Sequence, residues 1–246
     1  VRTNMDFMNA DSISQKRVVQ FTSSNPGNGK TFVSANLAVS FAQAGKKIIL
    51  VDTDIRKGTI EKFVNEHKED KSDSNSALLG VTSYLSGKID DIGQIIQRGA
   101  FGSSLDVIFA GPIPPNPTEL LMSDRFSTLI EELKKSYDYI FLDNVPVGVV
   151  ADASIVNKLC DLTIFVIRAG AMDKRQLSNV DKLYRNGDLN KMCIILNAVK
   201  FKKMGYGYGY GYGYGYGYGQ EEYEGKKKTR LYRILDKVDH LFRRNS

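Results

Sequence analysis

Unbroken apolar runs alternate along this chain with segments whose apolar positions recur every three or four residues. Residues 17–23 (RVVQFTS) form a short β-type run that ends in a Ser, Asn, Pro and Gly cluster. From Thr31 the period becomes helical, with Phe32, Ala35, Leu37 and Ala38 along one side and Gly45 as the natural stop. Residues 47–52 (KIILVD), 105–110, 139–143, 162–168 and 192–198 are apolar stretches too short for helices, and they are predicted as buried strands. Helical spacing covers residues 123–135, 153–159 and 173–186. Strands alternating with helices, and apolar on both faces, predict an α/β fold: a mostly parallel sheet flanked by helices. Residues 1–16 read as a polar helix followed by a loop, and residues 66–75 as a mobile loop rich in charge and serine. The alternation stops after Val199, where one domain is expected to end.

Composition narrows the function classes. A chain that is 42% hydrophobic and 25% charged has the make-up of an ordinary globular protein with material for a real core. It contains no run of eighteen apolar residues that could span a bilayer, and no basic-then-apolar signal peptide. It opens on Val1 rather than Met, so it is expected to be a segment of something longer. Cys160 and Cys193 sit in apolar stretches without metal or redox spacing and are expected as buried thiols in a reducing compartment. The net charge of +6 is local: residues 225–246 carry eight Lys or Arg against two Asp. The remainder is close to neutral, which excludes a nucleic-acid-gripping surface and leaves one basic end.

Chemistry concentrates where strands end. Ser23-Ser24-Asn25-Pro26-Gly27-Asn28-Gly29-Lys30-Thr31 joins a strand to a helix and is nearly a Walker A loop, with Ser24 in place of the usual first glycine. Gly27 and Gly29 allow backbone N–H groups to turn inward around an anion at a helix N-terminus. Lys30 is then expected to reach the β- and γ-phosphates, and Thr31 to ligate Mg²⁺. Asp52 and Asp54 close one apolar strand (IILVDTD) and Asp143 closes another (YIFLD). A single strand-end aspartate is more often a cap or a solvated turn. Three beside a phosphate loop point to a metal–nucleotide site.

With these residues in view, the loop SSNPGNGKT, the segment ILVDTDIRKGT and the strand YDYIFLDNVP resemble the Walker A, A′ and B motifs of the bacterial tyrosine kinases of capsule and exopolysaccharide assembly. Residues 111–121 (GPIPPNPTELL) resemble that family's proline-rich segment, and the likeness runs from about Arg2 to Val199. The resemblance implies a P-loop fold of deviant-Walker type, with ATP and Mg²⁺ as cofactors. It implies a phosphate-binding loop of Ser24, Pro26, Gly27, Asn28, Gly29, Lys30 and Thr31. Asp52 and Asp54 would share the roles of metal ligand and base, Asp143 would orient Mg²⁺, and Arg56 would support the site. Asn197 is either an adenine contact or an amide on a turn. It further implies homo-oligomers, a ring where the family's upstream helix is present, and a membrane polysaccharide co-polymerase, fused or separate. A tyrosine phosphatase and a place on the cytoplasmic face of the bacterial inner membrane complete the picture. This chain departs from the family at Asn144-Val145-Pro146 and at Gly58, where shifted substrate-loop geometry is expected rather than lost activity. It starts at the end of the oligomerisation motif, with Arg2 as the last arginine.

Beyond the sheet pattern, glycine alternates strictly with Tyr206, Tyr208, Tyr210, Tyr212, Tyr214, Tyr216 and Tyr218, and Tyr223 and Tyr232 follow. Glycine at every second place forfeits too much backbone entropy for a packed element, so residues 200–225 are expected to be a disordered tail. Beside a kinase core its phenols read as phosphorylation sites, at roughly −1.5 to −2 charges each. Residues 226–246 read as a basic amphipathic helix with Leu231, Ile234, Leu235, Val238, Leu241 and Phe242 on one face. That helix could meet anionic lipid, pack on the domain, or dock the phosphorylated tyrosines. The reading is thus a kinase domain over residues 1–199, a tail over 200–225 and a helix over 226–246, with no nucleic-acid partner. A deviant-Walker ATPase switch is the alternative, although no lysine stands near the start of the loop, at Thr22-Ser23-Ser24-Asn25. A non-catalytic scaffold is a third reading, opposed by intact Lys30, Asp52, Asp54 and Asp143.

Overall fold

The computed structural model describes residues 17–65, 79–148 and 152–199, all within the first of two units, Val1–Val199. The expected front segment, the loop at 66–75, Tyr206 to Tyr223 and the basic segment at 226–246 lie outside the described residues.

Strands β1 (Arg17–Thr22), β2 (Ile48–Asp52), β3 (Ile96–Ala100), β4 (Leu105–Ile108), β5 (Tyr139–Asp143), β6 (Leu162–Arg168) and β7 (Met192–Asn197) form one sheet in the order β3-β4-β2-β5-β1-β6-β7. Every pairing is parallel except that of β3 with β4. Helices α1 (Lys30–Gln43), α2 (Thr59–Asn65), α3 (Val81–Leu85), α4 (Pro117–Met122), α5 (Asp124–Ser136), α6 (Asp152–Asn157) and α7 (Leu177–Arg185) lie between strands.

Side chains alternate across a strand, so each sheet face builds its own core. Val18, Ile49, Val51, Ile140 and Leu142 pack with Phe126, Leu129, Ile130 and Leu133 of α5. On α1, Phe41 meets Tyr139 and Phe141 edge-on, at ring-centroid distances of 4.6 and 5.6 Å. Burial of the central strands from water is the main source of stability in such a sheet.

Among the described residues the predicted strands and helices form, with bounds shifted by a few residues at most. Some expectations need correction. Phe32 is 39% exposed and packs edge-on against Phe63 instead of joining the core. The last strand is an edge: Ile194 and Leu196 are 53% and 56% exposed, and Cys193 is half-buried where a buried thiol was expected. Residues 173–186 divide into a short 3-10 turn (Lys174–Gln176) and α7. No helix among the described residues is long and apolar enough to cross a membrane.

Candidate active site

Parallel pairing sets the site. In register, Asp143 of β5 lies beside Phe21 of β1 on one side and beside Asp52 of β2 on the other. The loop after β1 and the carboxylates ending β2 and β5 therefore share one edge of the sheet. The Thr22 hydroxyl donates to the Val145 carbonyl at 2.7 Å, and the Val147 N–H donates to the Ser23 carbonyl at 2.9 Å, tying the loops after β1 and β5 together. Gly27 and Gly29 hold φ of 80° and 87°, left-handed conformations that suit glycine. Gly29 is the N-cap of α1, and no side chain caps that helix. Its first N–H groups thus remain open to an anion.

The carboxylates differ in their surroundings. Asp52 is fully buried and both its oxygens accept backbone N–H groups, from Asp54 at 3.1 Å and Ile60 at 2.9 Å. Asp143 Oδ2 accepts from the Thr31 hydroxyl at 2.5 Å and the Thr59 hydroxyl at 3.3 Å. Asp54 Oδ1 and Asp143 Oδ1 are buried with no hydrogen-bond partner among the described residues. Burial raises the pKa of all three, and the neighbouring charge of Asp143 raises Asp52 further. The Lys30 ammonium pulls Asp54 and Asp143 back, and Lys57 also restrains Asp54. The net effect leaves Asp143 at about 6.

On the β6–β7 flank, side chains hold the outside of the loop. Arg168 Nη1 donates to the Gly27 carbonyl at 3.1 Å, and Asn197 Nδ2 to the Asn28 carbonyl at 3.1 Å. Asn197 Oδ1 also accepts the Ala198 N–H at 2.8 Å, so both ends of this amide are engaged within the protein. The Asn28 side chain donates to the Val166 carbonyl at 3.4 Å. Pro26 is exposed, and the Ser24 hydroxyl lies 3.8 Å from Met172 Sδ.

On the β2 flank, Arg56 forks onto Asp152, with Nε 2.7 Å from Oδ2 and Nη2 3.2 Å from Oδ1. Arg56 Nη2 also donates to the Thr118 hydroxyl at 2.8 Å, which in turn donates to Asp152 Oδ1 at 2.8 Å. Thr59, Thr118, Asp152 and Arg168 were not singled out from the sequence. Arg168 ends a predicted strand and Thr59 lies within the quoted ILVDTDIRKGT, so position alone could have flagged them. Nothing local marks Asp152.

These residues fit a magnesium nucleotide. Two buried carboxylate oxygens lack a partner, the Thr31 hydroxyl in the first turn of α1 bonds the carboxylate of Asp143, and the helix N-terminus is uncapped. Among the described residues no three acidic, His or Cys side chains converge to hold a metal by themselves. Mg²⁺ takes one or two protein ligands and completes its shell with phosphate and water.

Comparisons with known proteins agree with this fold. A family model described as an AAA domain matches residues 16–168. Tyrosine-protein kinase CpsD of Streptococcus pneumoniae is 37% identical over 188 residues, covering 72% of this chain and 77% of that protein. Putative tyrosine-protein kinase AmsA of Erwinia amylovora is 36% identical over 199 residues, which cover 81% of this chain but 26% of AmsA. Among solved structures, the kinase domain of Escherichia coli tyrosine kinase ETK aligns at a TM-score of 0.70 with 32% identity, over 85% of this chain and 77% of that one.

Proposed function

We propose, for a chain that belongs to the bacterial tyrosine-protein kinases, that it transfers the γ-phosphate of ATP to tyrosines of its own Tyr-Gly run in a neighbouring subunit. The observation that carries this reading is the pair of open, buried oxygens on Asp54 and Asp143 beside Lys30, at the uncapped start of α1.

The open N–H groups of α1 and the backbone of Ser24 to Gly29 cradle the phosphates, and Lys30 stabilises charge on the transferring group. Thr31 and Asp143 would hold Mg²⁺, which when bound would neutralise phosphate charge. Asp54 takes the phenolic proton as the tyrosine oxygen bonds to phosphorus and the bond to ADP breaks. Burial raises its pKa and so suits it to accept that proton. Asp52, tied by two backbone donors, shapes the turn that presents Asp54. Asn197 and Arg168 brace the loop from outside.

In this reading residues 1–199 are the kinase domain, 200–225 the acceptor tail and 226–246 a basic segment with anionic lipid in reach. The product regulates polysaccharide assembly at the cytoplasmic face of the membrane, within a homo-oligomer and opposed by a phosphatase. The co-polymerase partner is fused to the chain or separate from it; the matched region makes up 77% of CpsD but 26% of AmsA, which leaves room for such a segment in the longer protein.

The test is to incubate the chain with Mg-ATP and map phosphotyrosine by mass spectrometry. Phosphate is expected between Tyr206 and Tyr223, and Lys30→Met should reduce it by about 100-fold or more while circular dichroism is unchanged. Near-normal labelling of that variant would falsify the site assignment. ATP hydrolysis without phosphotyrosine would identify an ATPase switch instead, and neither activity a scaffold.

A further inference from the structure

The fork of Arg56 on Asp152 is unequal. The Arg56 side chain is 35% exposed, whereas that of Asp152 is 1% exposed. A carboxylate so buried needs its partners, and those it has here are Arg56 and Thr118. The three residues belong to three separate segments: the turn after Asp54, the start of α4, and the start of α6.

Thr118 ends a proline-bearing stretch that is anchored at its other end as well. The Val81 N–H donates to the Phe109 carbonyl and the Thr82 N–H to the Ala110 carbonyl, both at 2.9 Å. A Cβ on Gly80 would strike the Phe109 and Ala110 backbone, so the two strips touch without a side chain between them. Between these anchors Pro112, Pro115 and Asn116 are exposed, and Ile113 is 71% exposed. Proline fixes φ, so the stretch is a stiff shelf with an apolar tip.

Phosphoryl transfer brings the acceptor in opposite the leaving diphosphate. The β6–β7 flank of the phosphate loop is taken by Arg168 and Asn197, and the β2 flank carries Asp54 with the shelf beside it. We propose that the shelf from Gly111 to Thr118 receives the acceptor tyrosine, and that Asp152 is a positioning residue which, through Arg56 and Thr118, moors that shelf beside Asp54. The inference rests on the kinase reading for its acceptor. A phenol ring and its flanking glycines fit an apolar, backbone-rich shelf better than a charged peptide would.

The probe is a synthetic peptide with the sequence of residues 205–220, measured against the full chain in two ways. One is fluorescence-anisotropy binding in the presence of a non-hydrolysable ATP analogue. The other is phosphate incorporation into the separated peptide. Asp152→Asn removes the buried charge while keeping the shape, and Ile113→Ser alters only the exposed tip. Both are expected to weaken peptide binding and raise peptide KM about tenfold, the equivalent of ~1.4 kcal/mol, with nucleotide affinity unchanged within about twofold. Asp152→Glu should recover part of the loss. Peptide affinity that both variants leave unchanged would overturn the proposal, as would an equal loss of nucleotide affinity. A chain that binds the peptide in the expected rank order but transfers no phosphate would keep the shelf and discard the kinase reading.

Discussion

The sharpest residue-scale feature is a set of carboxylates held in a place that water would otherwise solvate. Asp143 is pushed up to about 6 by burial, and Asp52 and Asp54 shift in the same direction. A carboxyl whose folded pKa is raised favours the folded state while protonated, and that advantage is lost as pH rises through the folded value. Without metal, stability should therefore fall between about pH 4 and pH 7, by roughly 3 kcal/mol from Asp143 alone. Adding Mg-ADP should raise the melting temperature more at the upper pH than at the lower, where protons compete for the same oxygens. Thermal melts at both pH values, with EDTA and with Mg-ADP, check this. A flat profile with EDTA would show that these oxygens are solvated. Gly29 gives a second residue-scale expectation. Its φ of 87° disfavours any side chain by roughly 1–2 kcal/mol, and a Cβ there would meet the Asn197 amide. Gly29→Ala should lose nucleotide affinity, and adding Asn197→Ala should recover only the steric part, as a double-mutant cycle on nucleotide Kd would read. Lys30, Thr31, Asp52, Asp54 and Asp143 could be singled out from sequence because each stands at the end of a periodic run. Asp152 could not, because its significance comes from two partners 34 and 96 positions away.

Among the elements, apolar continuity made the central sheet legible and left its margins obscure. β1, β2, β5 and β6 are buried on both faces, and unbroken apolar runs announce that condition. β3 (IQRGA) has three exposed residues in five and pairs antiparallel at the edge, so it offers neither continuity nor clean alternation. α3 is only five residues long and buried throughout, so no polar face reveals a helical period. α4 begins with Pro117 at its first position and stops at Ser123, where α5 begins, and its start lies within the proline-rich motif that drew attention for other reasons. β7 was legible as a strand but not as an edge, since its composition matches that of its buried neighbour β6. The difference has an energetic consequence. Ile194→Ala on β7 should cost less than about 1 kcal/mol, whereas Ile164→Ala on β6, fully buried, should cost about 2–5 kcal/mol. Urea unfolding of the two variants measures both. Equal losses would mean that another surface covers β7 in solution.

At the scale of the whole molecule the question is how an acceptor in the same chain meets the site. The last described strand ends at Asn197, on the sheet edge that carries the phosphate loop, and Tyr206 follows seven residues after Val199. Seven extended residues span at most about 25 Å, and the nineteen to Tyr218 at most about 68 Å. Length alone therefore permits some of these tyrosines to serve their own chain, at an effective concentration on the order of millimolar. The acceptor side, however, lies beyond β1 and β5 on the β2 flank, four strand spacings or about 19 Å from β7. The first tyrosines would have to spend nearly all of their tether on that crossing and still turn the phenol inward. A second chain carries no such constraint, so transfer between chains is the expected route for the early tyrosines. The test mixes a Lys30→Met chain, which can only accept, with an active chain cut after Val199, which can only donate. Phosphotyrosine on the Lys30→Met chain, at an initial rate that rises with donor concentration, is the expected result. If that chain stays unlabelled while the intact chain labels itself at a rate independent of its concentration, transfer is within one chain. The tether argument would then fail at Tyr206 first, where the reach is shortest.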